Sequence, residues 1–209
     1  MTARSSGSSP GRARNFGIND LRAQSVQTAQ SAKRAPIMQR TIIFLHGKQS
    51  TPEGSGSGKA IREHFSKEYN VLIPDYKPME RTHGEIEAYL KECISPHPEA
   101  LITGISLGGY WAYRMACTLP ASLGLSCVLL NPYFYNYPEI EVPMPPANIP
   151  ITVVVNLDDD LINPQEVIKR FEGAASIRAL ETGGHRFKDK TPIVREVAAA
   201  LQRSVLMDI

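Results

Sequence analysis

The chain has 209 residues, of which 42% are hydrophobic, enough for one good core but too few for two compact domains. Its three cysteines, Cys93, Cys117 and Cys127, are far apart with no Cys-x-x-Cys, which argues against a disulfide framework or a zinc site and fits a reducing, cytoplasmic setting. Net charge is +2, but residues 1–40 hold seven basic side chains against one acid, so the remainder is mildly acidic and gives no reason to expect a nucleic-acid partner.

Residues 1–37 are rich in Ser, Arg, Ala and Gln and poor in large apolar side chains. Such a segment cannot bury enough surface to offset its ordering entropy, and it reads as a disordered leader before a domain spanning 38–209. Two readings stay open. The leader is a targeting or secretion signal, or Met38 is the true start. A conventional secretory signal is not expected, because no apolar core is present, and the longest apolar stretch is too short for a membrane span.

From Thr41 onward, short β-branched runs alternate with helical patterns. Strands are predicted at 41–45, 71–73, 100–103, 126–130, 151–155 and 177–180, as continuous apolar runs suited to a parallel sheet buried on both faces. Helices are predicted at about 57–68, 83–94, 107–118, 164–173 and 191–204. Thr82-x-x-Glu85 fits a capping box, and Pro164 and Pro192 suit first-turn positions. The alternation predicts an α/β fold: a right-handed, doubly wound, mostly parallel sheet of about six strands with helices on both faces.

The segment Gly54-Ser-Gly-Ser-Gly58-Lys59-Ala60 is one residue short of a phosphate-binding loop and has Ala60 where a hydroxyl must reach magnesium. It reads as a flexible linker opening the first helix. After the fourth strand, Asn131-Pro132-Tyr133-Phe134-Tyr135-Asn136-Tyr137-Pro138 is too proline-rich for a helix. Tyr133 and Tyr135 are candidates for an aromatic wall over a substrate. The alternative is that these tyrosines simply pack on the sheet.

The chemistry concentrates at Gly104-Ile105-Ser106-Leu107-Gly108, between the third strand and the third helix. A serine at such a strand-to-helix turn, flanked by glycines at two residues on either side, has the form of a nucleophile elbow. A serine hydroxyl needs a base, and the base needs a carboxylate to hold its tautomer. Downstream, Asp158-Asp159-Asp160 follows the fifth strand and Gly183-Gly184-His185 the sixth, in the order Ser, Asp, His. His185 is the expected base. Asp159 is the preferred orienting acid, ahead of Asp158 and Asp160. The triple aspartate lacks the spaced ligands of a calcium loop, so no metal is expected. His46-Gly47 follows the first strand, so the backbone N–H groups of Lys48 and Leu107 are the expected oxyanion hole, with His46 a structural, hydrogen-bonded histidine. Cys117 is expected in the core.

Leu45-His46-Gly47, the run from Gly104 to Ala112, Asn131-Pro132 and Gly184-His185-Arg186-Phe187 together resemble the YqiA/YcfP family of small bacterial esterase-like α/β-hydrolases. The resemblance runs from about residue 41 to 202. It implies a minimal α/β-hydrolase with little or no cap, needing no cofactor and cleaving simple acyl esters. It carries Ser106, Asp159 and His185 as nucleophile, acid and base. The chain departs from the pattern in its three consecutive aspartates and in a shorter, proline-rich 131–150 segment. The expected function is thus a serine esterase acting on a small-molecule ester or thioester. The rivals are another bond cleaved by the same three residues (peptide or carbon–carbon), or a binding module without turnover.

Overall fold

A computed structural model describes residues 40–144 and 147–206, with the side chains of 204–206 left out. The proposed 1–37 leader and its boundary lie outside the described residues. The chain runs β1 (Thr41–Leu45), α1 (Gly56–Phe65), β2 (Asn70–Leu72), α2 (His83–Ile94), β3 (Leu101–Ile105), α3 (Leu107–Thr118), β4 (Ser126–Leu130), β5 (Ile151–Asn156), α4 (Pro164–Phe171), β6 (Ser176–Leu180) and α5 (Thr191–Leu206). The strands form one sheet in the order β2-β1-β3-β4-β5-β6, every pairing parallel.

Alternation along each strand divides the core into two layers. Ile43, Leu45, Ile102, Leu129, Val153 and Val155 face α2, α3 and α4. Ile42, Phe44, Leu101, Val128, Leu130 and Val154 face α1 and α5. The helices start where their sequences can satisfy the first free N–H groups. Ser55 accepts from Gly58 N–H, Thr82 and Glu85 form the expected capping box, and Asn163 accepts from Gln165 N–H ahead of Pro164. β1 and β3 to β5 are buried as predicted, but β6 is not. Its residues are exposed or half-buried, and Arg178 pairs with Glu196 of α5. β6 is a sheet edge, so no strand covers its outer side.

The chain goes outward from β1 to β2, then crosses back to place β3 on the other side of β1. This reversal opens a crevice at the carboxyl ends of β1 and β3, where ligands bind in doubly wound sheets. It closes tightly. A Cβ on Gly108 would stand 2.0 Å from Leu45 O, and one on Gly104 would stand 2.2 Å from Gly108 O. The 131–150 connection forms no helix among its described residues. Phe134 is buried between α3 and α4, and Pro143 O accepts from Tyr113 Oη at 2.6 Å. Arg114 of α3 also donates to Glu141 O. Most of this segment therefore packs on the fold instead of arching over the crevice.

Gly108→Ala should cost at least about 3 kcal/mol, because the added methyl meets backbone that cannot retreat. Gly84→Ala, whose Cβ would meet nothing within 4 Å in α2, should instead stabilise by about 0.5–1 kcal/mol. Thermal melts of the two variants, followed by circular dichroism, check the contrast.

Candidate active site

Ser106 sits at the junction of β3 and α3 with φ 56° and ψ −122°, a conformation few non-glycine residues adopt. Its backbone is held on three sides. Its N–H donates to Leu130 O at 3.0 Å, and its carbonyl accepts from Gly109 N–H at 2.9 Å and Tyr133 N–H at 3.0 Å. Although it occupies the N-cap position of α3, its hydroxyl makes no capping hydrogen bond. The side chain is thus not consumed by the helix it introduces.

Of the three aspartates after β5, Asp159 meets His185. Its two carboxylate oxygens lie 3.1 and 2.8 Å from His185 Nδ1. The same carboxylate accepts the N–H groups of Leu161 at 2.8 Å and Ile162 at 3.0 Å, and its side chain is 1% exposed. With Nδ1 engaged by the carboxylate, Nε2 is the ring nitrogen left for proton transfer. Asp158 does a different job. Its Oδ1 accepts from Gly184 N–H at 2.8 Å, and the N–H groups of Gly184 and Gly183 hold its carboxyl below the usual range. It shapes the histidine loop without touching the ring.

Two buried asparagines, Asn131 and Asn156, complete that loop. Asn131 Nδ2 donates to Gly184 O and His185 O, and Asn156 Nδ2 donates to Gly184 O at 2.8 Å. Asn131 Oδ1 in turn accepts from Asn156 N–H at 2.8 Å. These residues stand at the ends of β4 and β5, and the sequence reading gave neither a positioning role. An asparagine ending a buried strand was the available signal, since a buried amide needs partners the ladder does not supply.

The loop after β1 faces the elbow. A Cβ on Gly47 would lie 3.6 Å from Ser106 Cβ. Lys48 follows directly and lines the same cavity as Ser106, and Leu107 opens α3. His46 is fully buried, stacked on Tyr76 at 4.6 Å, with Nδ1 3.0 Å from Gly47 O. Tyr76 Oη donates to His46 O.

Ser106 and His185 line one cavity of about 600 Å³, also bordered by Gly47, Lys48, Tyr133 and Ile162. That volume suits a small-molecule ligand. Gly54, Ser55, Gly56 and Ser57 form another wall, with Ser55 and Ser57 buried. The glycine-serine segment is thus a wall of the cavity, not a flexible linker, because capping α1 ties Ser55 down. Of the two tyrosine candidates, Tyr133 lines the cavity. Tyr135 does not: it is 49% exposed, and its hydroxyl donates to Glu166 of α4. Cys117 is half-buried at the α3 surface, its thiol pushed up by burial.

The family model for UPF0227, described as an uncharacterised protein family, matches residues 41–148. The chain belongs to the UPF0227 family. The UPF0227 protein YcfP of Escherichia coli is 25% identical over 186 residues, covering 76% of this chain and 97% of that protein. A UPF0227 protein of Shewanella woodyi is 31% identical over 96 residues, 44% of this chain and half of the relative. Among solved structures, Est1E from Butyrivibrio proteoclasticus has a TM-score of 0.67 at 12% identity, covering 83% of this chain and 91% of its own. MGS-MChE2, an alpha/beta hydrolase enzyme from the sediment metagenome of the Mar Chica lagoon, Morocco, has 0.62 at 17%, covering 79% and 91%. This UPF0227 chain has the α/β-hydrolase fold in a minimal form. No described helix is long and apolar enough to cross a membrane.

His46 gives this UPF0227 member an acid-sensitive point. Burial holds its pKa below the ordinary histidine value. If Nδ1–H donates to Gly47 O, protonation would add an N–H at Nε2, which is buried without a partner. His83, wedged against Trp111 and near Arg114, is also held down, first by burial and then by that guanidinium. The unfolded chain takes up these protons first, so stability should be fully present above about pH 6.5 and lost as pH falls below it. Denaturant titrations between pH 5 and 8 measure this. His46→Gln should reduce the slope of stability against pH in that range.

Proposed function

We propose that this protein is a serine hydrolase that cleaves carboxylic or thio esters through an acyl-enzyme. One observation carries the reading: Asp159 holds Nδ1 of His185, while His185 and an uncapped, positive-φ Ser106 line the same cavity. In this mechanism His185 Nε2 takes the Ser106 proton as Oγ attacks the ester carbonyl. The backbone N–H groups of Lys48 and Leu107 receive the developing oxyanion. Collapse expels the alcohol or thiol, which His185 protonates. Water, activated by the same ring, then releases the acid and restores Ser106. Every step uses groups of this chain.

Two things support an ester over a larger polymer. The cavity is small-molecule sized, and the 131–150 segment packs on α3 and α4 without building a separate cap. The protein is expected to act without a cofactor and in the cytoplasm, on a small-molecule ester.

Hydrolysis of 4-nitrophenyl esters of increasing acyl length tests this. Wild type should turn over with an optimum at one length, and Ser106→Ala should lose about 10⁴-fold or more in kcat/KM. Wild type that is folded, inactive at every length and unlabelled by a fluorophosphonate probe would overturn the reading. Asp159→Asn should cost about 10⁴-fold in kcat, because the amide favours the wrong imidazole tautomer. Asp158→Asn should cost far less, since its carboxylate meets the loop backbone at Gly184 and Gly183 and not the imidazole.

A further inference from the structure

The cavity above Ser106 has a charge pattern that ester cleavage alone does not use. Lys48, Arg186 and Lys190 line it, and among the described residues no aspartate or glutamate does. Of the acids next to the lining residues, Glu53 and Asp160 are exposed, and the others are engaged. Asp159 faces His185, Asp158 accepts from Gly184 N–H, and Asp189 accepts from Thr191 N–H at 2.9 Å at the start of α5. Lys48 Nζ donates to the neutral Asn136 side chain at 2.8 Å.

Lys190 is the telling residue. Its ammonium donates to the carbonyls of Arg186 and Phe187, contacts that aim it without neutralising it. Its stem crosses Gly56 so closely that a Cβ there would lie 3.4 Å from Lys190 Cε. Gly56 begins α1, so the ammonium stands over the positive end of a helix, with Arg186 on the same cavity wall. Burial pushes Lys190 below the ordinary lysine value, and the neighbouring Asp189 carboxylate opposes that shift. A cation partly stripped of water gains from an added anionic partner.

We propose that this wall binds an anionic oxygen group, a carboxylate or phosphate carried by the ester substrate, and that Arg186 and Lys190 select for it. The proposal rests on Ser106 being the esterolytic nucleophile. In an otherwise mildly acidic chain body, a cationic cavity also concentrates anionic substrates at the nucleophile and makes their capture salt-dependent.

Two 4-nitrophenyl esters of equal acyl length test it: the glutarate monoester, which ends in a carboxylate, and the neutral pentanoate. Wild type should favour the glutarate ester by about tenfold or more in kcat/KM, chiefly through KM, and 0.5 M salt should narrow the gap. Arg186→Gln, at an exposed position, and Lys190→Met should each lower that ratio. Inorganic phosphate and glutarate as competitors against the pentanoate ester separate the two anion sources by which inhibits at lower concentration. Equal kcat/KM for the two esters, with activity abolished in Ser106→Ala, would overturn the anion site and leave the hydrolase reading intact. If neither ester turns over, calorimetric titration of folded protein with glutarate and phosphate still decides. Binding weakened by Arg186→Gln upholds the site, and no binding of either anion overturns it.

Discussion

Gly108 lies against the carbonyl of Leu45 with no room for a methyl group between them, and the geometry of the cavity follows from that approach. It draws the first turn of α3 onto the carboxyl end of β1. This is the point where the sheet reverses direction, so two loops that are sixty residues apart in sequence become neighbours. Gly47 then comes to rest beside Ser106, and the backbone of Lys48 follows. A larger residue at 108 would part β1 from α3 and separate the nucleophile from its proposed oxyanion donors together. The strain in Ser106 is affordable because its N–H and carbonyl are both tied to neighbouring backbone.

The histidine side of the site is held differently. β6 is an exposed edge, and the loop that follows it is anchored in the core by Phe187, two residues past His185. Polar groups hold the rest of the loop: Asn131 and Asn156 grip its carbonyls, Asp158 its Gly184 N–H, and Asp159 the ring. The buried asparagine hydrogen bonds cost about 1–3 kcal/mol each when one partner is lost. The nucleophile is therefore positioned by close backbone packing and the base by a hydrogen-bond network. The two halves should respond to mutation in different ways, the first through folding and the second through catalysis.

Cationic selection by the proposed anion site needs neither half to change. Lys190 and Arg186 lie past His185 on the same loop, so the segment that delivers the base also carries the charges facing the substrate. A substrate held by them would be placed relative to His185 by only a few residues of chain.

Much of this was legible in the residues alone. Continuous β-branched runs marked the strands, Thr82 and Glu85 the start of α2, and the glycines around Ser106 the elbow, because each is a local requirement with a local signature. The order Ser, Asp, His was readable too. What the chain could not show by itself is which of three adjacent aspartates turns toward His185, since that depends on how the loops after β5 and β6 meet across the sheet edge. Nor could it show that Gly54–Ser57 would be a cavity wall, that Tyr133 and Tyr135 would part company, or that Lys190 would lie over Gly56. Those are contacts between segments distant in sequence, decided only when packing brings them together. The sequence by itself determined the elements and the chemistry they carry; the tertiary structure alone decided which side chains meet, because no short-range rule encodes a long-range distance.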